Sequence, residues 1–115
     1  MMQLLVLITK ESEQIDDLLV TLSNEGICGA TLVDCEGMAE RLIRAKKKED
    51  IPFFELFADM LLDGNASGKM ILMALPDEQM EKARCIIREF SGGLDKPNTG
   101  VMFGVPLSFT EGIRF

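Results

Sequence analysis

Three parts of this sequence have residue types that bind small anions. Five of the twelve lysines and arginines lie within residues 41–48. Residues 92–100 (GGLDKPNTG) combine glycines with Lys96, so backbone N–H groups and an ammonium group could line a phosphate there. Arg114 is a third cationic candidate. A solvated helix face, a helix-to-strand connection and an exposed tail would explain the same residues, so both interpretations stay open.

The residue types that are missing exclude several kinds of chemistry. The 115-residue chain has no His, Trp or Tyr, which excludes Ser-His-Asp triads, His-bearing zinc sites and tyrosine modification. Its three Cys form no Cys-x-x-Cys pair, and we expect them to be small core residues. The net charge of −7 disfavours nucleic-acid binding, and no apolar run is long enough for membrane insertion. We therefore expect a cytoplasmic protein that is not an enzyme and has no catalytic or metal site.

The first part of the chain reads as strand, helix, strand. Residues 3–9 (QLLVLIT) form a short apolar run typical of a buried strand. Ser12 is the expected helix N-cap, and Gly26 the expected left-handed residue that ends the helix. Residues 29–35 (GATLVDC) then predict a second strand. The apolar stripe of the helix is Ile15, Leu18, Leu19 and Leu22.

The last part of the chain repeats this order. Residues 69–75 (KMILMAL) predict a strand, Asp77 is the expected N-cap of the next helix, and two glycines at 92–93 end it. Residues 101–107 (VMFGVPL) predict the last strand, which Pro106 confines to an edge or a bulge. The apolar stripe of this helix is Met80, Ala83, Ile87 and Phe90.

This repeat of β-α-β units predicts the fold. The strands begin at 3 and 69 and the helix caps lie at 12 and 77, a nearly constant offset. We therefore expect one α+β domain over 1–115 with a ferredoxin-like fold, in which a four-stranded antiparallel sheet has both helices on one face. Since the strands are apolar throughout, the other face would also be apolar, which favours self-association.

A helical insert is predicted between the two halves. Residues 38–62 are expected to be mostly helical, basic at first and strongly apolar over 50–62 (DIPFFELFADMLL). Phe53, Phe54 and Phe57 are more than one narrow helix stripe can bury, so we expect them to contact a partner or a neighbouring subunit.

Two of these segments resemble the PII family of nitrogen-regulatory signal-transduction proteins. Residues 26–37 (GICGATLVDCEG) resemble the family pattern G-[IV]-x-G-[ML]-T-[VI]-x-x-[VA]-K-G, and 100–107 (GVMFGVPL) resemble its G-K-I-F-V-x-P-V strand. Arg114 falls where the family's R-I-R motif ends. The resemblance covers most of the chain outside 38–66, where the family has its long T-loop.

The resemblance implies a homotrimer with ligand sites in the clefts between subunits. PII proteins bind ATP or ADP, often with 2-oxoglutarate, and regulate partner proteins through the T-loop. By position, Thr31 corresponds to the Thr near the adenine, Gly100 to the last Gly of the phosphate-binding B-loop, and Arg114 to the second Arg of R-I-R. Gly37 stands at the start of the T-loop.

The sequence departs from the family at charged positions. The B-loop pattern G-D-G-K ends here in Gly100-Val101, so the phosphate-binding Lys is missing, and Gly112 replaces the first Arg of R-I-R. Arg41 stands where the family has the Gln that helps to hold Mg²⁺ and 2-oxoglutarate. Two lost charge-assisted contacts of about 2 kcal/mol each would weaken ATP binding by roughly three orders of magnitude. Lys96 and Arg41 would compensate in part.

Two hypotheses of function follow. The first is a divergent PII-like trimer that senses a small molecule, with an adenine nucleotide as the candidate ligand and no certain cofactor, and that acts on a protein partner. Its ligand-binding residues would be Thr31, Gly37, Arg41, Lys96, Gly100 and Arg114. The alternative is a trimeric interaction module that senses nothing and docks constitutively through the Phe-rich segment 50–62.

Overall fold

The computed structural model describes residues 1–10, 12–44, 68–93 and 100–113. The predicted strands are all present, with bounds within one residue of those expected. The elements in chain order are β1 (Met2–Lys10), α1 (Gln14–Asn24), β2 (Ala30–Cys35), α2 (Met38–Arg44), β3 (Gly68–Pro76), α3 (Asp77–Ser91) and β4 (Val101–Pro106).

The strands form one antiparallel sheet in the order β2-β3-β1-β4. β1 is central, with Leu5 opposite Met73 of β3 and Val6 opposite Phe103 of β4. β2 and β4 are the edges, which agrees with the position expected for Pro106. The predicted α+β, ferredoxin-like fold is confirmed.

The core lies between the sheet and helices α1 and α3. Alternate residues of β1 and β3 point toward the helices, because successive side chains of a strand point to opposite faces. The apolar stripes predicted for the helices supply most of the other half of the core. The buried core residues are Leu5, Leu7, Ile71, Met73 and Leu75 from the sheet, Ile15, Leu18 and Leu22 from α1, Ile27 from the loop after it, and Met80, Ala83 and Ile87 from α3.

The opposite face of the sheet has no layer of helices over it among the described residues. Its side chains are almost all apolar, and those of β4 are the most exposed. Phe103 is 46% exposed, Val101 50% and Val105 42%. We call this surface the open face. Its residues, by register, are Leu4, Val6 and Ile8 of β1, Thr31, Val33 and Cys35 of β2, Met70, Leu72 and Ala74 of β3, and Val101, Phe103 and Val105 of β4.

Both predicted N-caps differ from the structure. α1 begins after Glu13, whose backbone is already helical, and Ser12 contributes its backbone carbonyl, which accepts a hydrogen bond from the N–H of Ile15 at 3.2 Å. The N-cap of α3 is Pro76, and Asp77 is the first helical residue. The structure therefore has no side-chain hydrogen bond at either cap.

Asp77 instead connects α3 to β1. Its Oδ1 accepts a hydrogen bond from Gln3 Nε2 at 2.8 Å. This hydrogen bond is the main reason why the pKa of the Asp77 carboxyl lies below its ordinary value of 3.8.

The predicted insert is described only in its first part. α2 covers Met38–Arg44, as expected for a helix that begins at 38. The rest of the insert, with Phe53, Phe54 and Phe57, lies outside the described residues, as do Lys96 and Arg114. Within the part of the chain that the structure describes, no helix is both long and apolar enough to cross a membrane.

Candidate functional site

A cleft of about 500 Å³ lies beside the beginning of β2. Its walls come from the loop of residues 26–29, from β1 and β3, and from residues 112–113 beyond β4. This volume is within the range of small-molecule sites. Thr31, which the sequence predicts as a ligand residue, is part of the wall.

The end of α1 fixes the loop that forms one wall. The N–H of Gly26 donates to the carbonyl of Ser23 at 3.0 Å, and the N–H of Ile27 donates to that of Leu22 at 2.9 Å. These two bonds are a Schellman motif, for which Gly26 supplies the positive φ of 86°. Because Ile27 is only 4% exposed, the loop is held to the core.

The register of the sheet leaves room for the cleft. β2 begins at Ala30, opposite Met73, so the last three residues of β3 extend beyond it. Ala74 and Leu75 from this extension line the cleft, together with Leu4 of the adjacent strand.

Most side chains in the wall of the cleft are apolar. Its polar side chains are Cys28, Thr31 and Gln79, and none of the described residues in the wall has a charged side chain. Such a surface suits an uncharged part of a ligand, because a buried charge needs a partner of opposite sign.

Gly37 and Arg41 lie at a different place, where α2 begins. The backbone N–H of Arg41 donates to the carbonyl of Gly37 at 3.0 Å. The Arg41 Nη1 is 3.7 Å from the Glu36 Oε2, and the Arg41 side chain of this ion pair is exposed. These residues line a shallow, open depression together with Met38.

Gly100 lies next to the end of β1. Its φ is +107°, and a Cβ added there would be 2.6 Å from the carbonyl oxygen of Ile8. This close approach requires a glycine whether or not a phosphate binds nearby.

The described residues therefore separate the predicted site into three places within one chain. Thr31 and the residues just before Arg114 meet in the cleft. Gly37 follows Cys35, at the other end of β2, and Gly100 precedes the opposite edge strand. Three strand spacings of about 4.8 Å separate the two edge strands, or about 14 Å.

The cysteines differ from the expectation of small core residues. Cys28 and Cys85 are exposed and Cys35 is partly buried. Cys28 follows the buried Ile27 and lines the cleft, because the loop turns one residue inward and the next outward. No signal in the sequence separates these two neighbours.

Gln79 is a second cleft residue that the sequence reasoning missed. It lies in the first turn of α3, outside the apolar stripe by which that helix was predicted. Gln79 closely follows Pro76, where a strand ends and a helix begins, and this position could have been used to predict it as a cleft residue.

The exposed side of α3 has a separate charged cluster. The Arg88 Nη2 is 3.0 Å from the Glu81 Oε1 and 3.2 Å from the Cys85 Sγ. The hydrogen bond from Arg88 is the main cause of a lowered pKa of Glu81, and the bond to Cys85 is the main cause of a raised pKa of Arg88. The cluster contributes no residue to the cleft.

Comparison with known proteins identifies the fold. No protein-family model matches the sequence, and no curated protein matches it. Among solved structures, the PII protein of Arabidopsis thaliana bound to citrate is similar, with a TM-score of 0.61 and 17% sequence identity. The match covers 93% of this chain and 75% of that one. The protein therefore has a PII-like fold.

Proposed function

We propose that this protein is a PII-like regulatory protein. It forms a homotrimer, binds a small molecule in the clefts between subunits, and acts on a protein partner. The observation that carries the proposal is the cleft beside Thr31 in a chain with a PII-like fold. An adenine nucleotide is the candidate ligand, and residues 38–66 take the place of the T-loop.

The open face supports the trimer. It spans all four strands, and Phe103, Val101 and Val105 expose nearly half of their surface to solvent in the isolated chain. Burial of apolar surface contributes roughly 25 cal/mol for each Å². Contact between the β4 parts of this face in a closed ring of copies would bury these side chains and would leave Leu4, Leu72 and Ala74 to line the cleft.

The division of the predicted site within one chain supports a cleft between subunits. The Thr31 side supplies a neutral wall, whereas Arg41 and Gly100 lie at the other end of the sheet. A ligand with a neutral ring and an anionic tail would use both. The ring would lie against the Thr31 wall of one subunit, and the tail would reach Arg41 and Lys96 of its neighbour. Arg114, which follows the wall residue Ile113 in the sequence, is a further candidate.

The expected affinity for ATP is lower than that of a PII protein with an intact B-loop. Val101 is hydrophobic at the position of the phosphate-binding Lys, and its side chain belongs to the open face of β4. Ligands that have fewer phosphates, or carboxylates in their place, lose less affinity when this Lys is missing. Citrate belongs among the test ligands because it is bound to the similar Arabidopsis protein.

A thermal-shift panel tests the sensing function. ATP, ADP, AMP, 2-oxoglutarate and citrate are each titrated with and without Mg²⁺. A ligand at 100 times its Kd adds about 2.7 kcal/mol to the free energy of unfolding, which raises the Tm by several degrees. We expect a saturable shift with at least one adenine nucleotide.

Alkylation of cysteines tests the place of binding in the same samples. Cys28 lines the cleft, whereas Cys85 is exposed on the far side of α3 and serves as an internal control. A ligand in the cleft slows the modification of Cys28 by at least about tenfold at saturation and leaves the rate of Cys85 unchanged. A thermal shift without protection of Cys28 would contradict the proposed cleft.

The alternative function remains the non-sensing trimer that docks through residues 50–62. The observation that favours it is the loss of cationic residues at Val101 and Gly112. A panel without any thermal shift, on a protein that is trimeric in solution, would support this function and contradict the sensor.

A further inference from the structure

Gln79 is placed so that its side-chain amide is available to a ligand. It is the third residue of α3 and lines the cleft. In a capping box, a Gln at this position of a helix reaches back to the backbone N–H of the N-cap residue. Here the N-cap is Pro76, which has no N–H, so that bond cannot form. No described residue hydrogen-bonds the Gln79 side chain.

The amide of Gln79 also differs in kind from the other polar groups of the cleft. The Thr31 hydroxyl is one atom, and the Cys28 thiol is a weak donor. Gln79 presents a donor and an acceptor side by side, about 2.2 Å apart in any primary amide, on a side chain long enough to move within a cleft. Among the side chains described in the wall, Gln79 alone can form two parallel hydrogen bonds to a flat, uncharged ring.

We propose that Gln79 determines which heterocycle the cleft accepts. Its amide pairs with a ring edge that carries a hydrogen-bond donor next to an acceptor, while Leu4, Leu72 and Ala74 provide apolar contact to the ring. Adenine has such an edge, with the N6 amino group as donor and N1 as acceptor, and guanine has one too, with N1 as donor and O6 as acceptor. This inference rests on the proposed nucleotide binding, and it adds the group that pairs with the edge of the base.

Substitution of Gln79 by glutamate tests the proposal through a change of preference. A carboxylate only accepts hydrogen bonds. The carboxylate cannot donate to adenine N1, and its oxygen is repelled by the lone pair of that nitrogen. Guanine, in contrast, offers the carboxylate two adjacent donors, at N1 and N2. In full-length Gln79→Glu, we expect ATP to bind about tenfold more weakly and the ATP-to-GTP affinity ratio to fall by at least about 30-fold. Adenosine and guanosine, measured in parallel, should show the same change of ratio without phosphates.

Two further variants separate base recognition from charge and packing. Gln79→Leu removes both hydrogen bonds, so ATP binding should weaken about tenfold without a gain for GTP. Gln14→Glu makes the same chemical change at the exposed start of α1, outside the cleft, and should leave the ratio unchanged. Tm values close to that of the wild type verify that each variant is folded.

The outcomes distinguish this inference from the proposed function. If the wild type binds ATP and Gln79→Glu has the same ATP-to-GTP affinity ratio, Gln79 does not pair with the base. The proposed sensing function would still stand in that case. If the wild type binds no nucleotide in saturable form, the proposed nucleotide binding is wrong and this inference falls with it.

Discussion

At the scale of single residues, glycines at candidate ligand positions have different roles. Gly100 has a positive φ and no space for a Cβ, whereas Gly37 has nothing within 4 Å of the Cβ position. The family patterns predict both glycines to be ligand-binding residues. The structure explains the glycine at position 100 without any ligand, because the backbone there approaches the end of β1.

Gly100→Ala should therefore be destabilising. The added Cβ would meet the Ile8 carbonyl oxygen at 2.6 Å in a backbone conformation that L residues rarely adopt. We expect a loss of about 2–3 kcal/mol in the free energy of unfolding, measured by urea denaturation. Gly37→Ala is the matched control, with a change within about 1 kcal/mol. Equal stability of the two variants would contradict this role.

Asp77 should make the stability sensitive to acid. The pKa of its carboxyl is lowered in the folded protein, chiefly by the hydrogen bond from Gln3. The ionised form is therefore favoured by folding, and its contribution is present above the ordinary pKa of 3.8 and is lost as the pH falls through the lower folded value.

The measurement is the Tm of the wild type and of Asp77→Asn between pH 6 and pH 2. We expect the Tm of the wild type to fall more steeply below about pH 4, since the amide does not titrate. Gln3→Leu, which removes the donor, should lie between the two. Parallel curves for all three proteins would show that Asp77 contributes nothing to the pH dependence.

At the scale of elements, apolar patterns were sufficient to predict the helices and strands. The run at 3–9 became β1 with one residue added at each end, and the stripe that begins at Ile15 became the buried side of α1. Such patterns work because the period of apolar residues follows directly from backbone geometry. The caps were less predictable, because Pro76 and Asp77 are both common at helix starts and their order decides which one is the cap.

The cleft could not be predicted as a whole. Thr31 was found through a family pattern, but Gln79 lies 48 residues later and reaches the cleft through the register of β2 and β3. Pattern and spacing contain no information about which edge of a sheet faces a given loop. Cys28 was assigned to the core for the same reason.

The open face of β4 leads to a prediction about assembly. Phe103 is in the middle of this strand and is 46% exposed in the isolated chain. Phe103→Asp would place a charge in the proposed interface, where it has no partner and is costly to bury. We expect the trimer to dissociate to monomers at micromolar concentration, measured by light scattering after size-exclusion chromatography.

The control for this experiment is Val20→Asp on α1. Val20 is 58% exposed and lies on the helix side, away from the open face. This variant should have the same mass as the wild type. A monomeric wild type, or a trimeric Phe103→Asp, would contradict assembly through the open face.

At the scale of the whole molecule, the fold and the candidate site depend on different amounts of chain. One chain contains the core, with both helices on one side of the sheet. The proposed site needs two chains, because Thr31 lies in one edge strand of the sheet and Gly100 lies just before the opposite edge strand. Dilution below the trimer dissociation constant should therefore weaken ligand binding in proportion to the loss of trimer.

The central position of β1 also affects how the protein folds during synthesis. Leu5 pairs with Met73, and Ile8 pairs with Val101, which is 93 residues later in the chain. At about 5–20 residues per second, a ribosome needs roughly 5–20 s to make the chain between Ile8 and Val101. Until β3 has been made, β1 has neither of its two sheet neighbours, and until Val101 has been made it has only β3. We therefore expect nascent chains to depend on chaperones or on α1 to shield this apolar strand. Contacts so distant in sequence also slow refolding, since the long loops must close before the sheet can form.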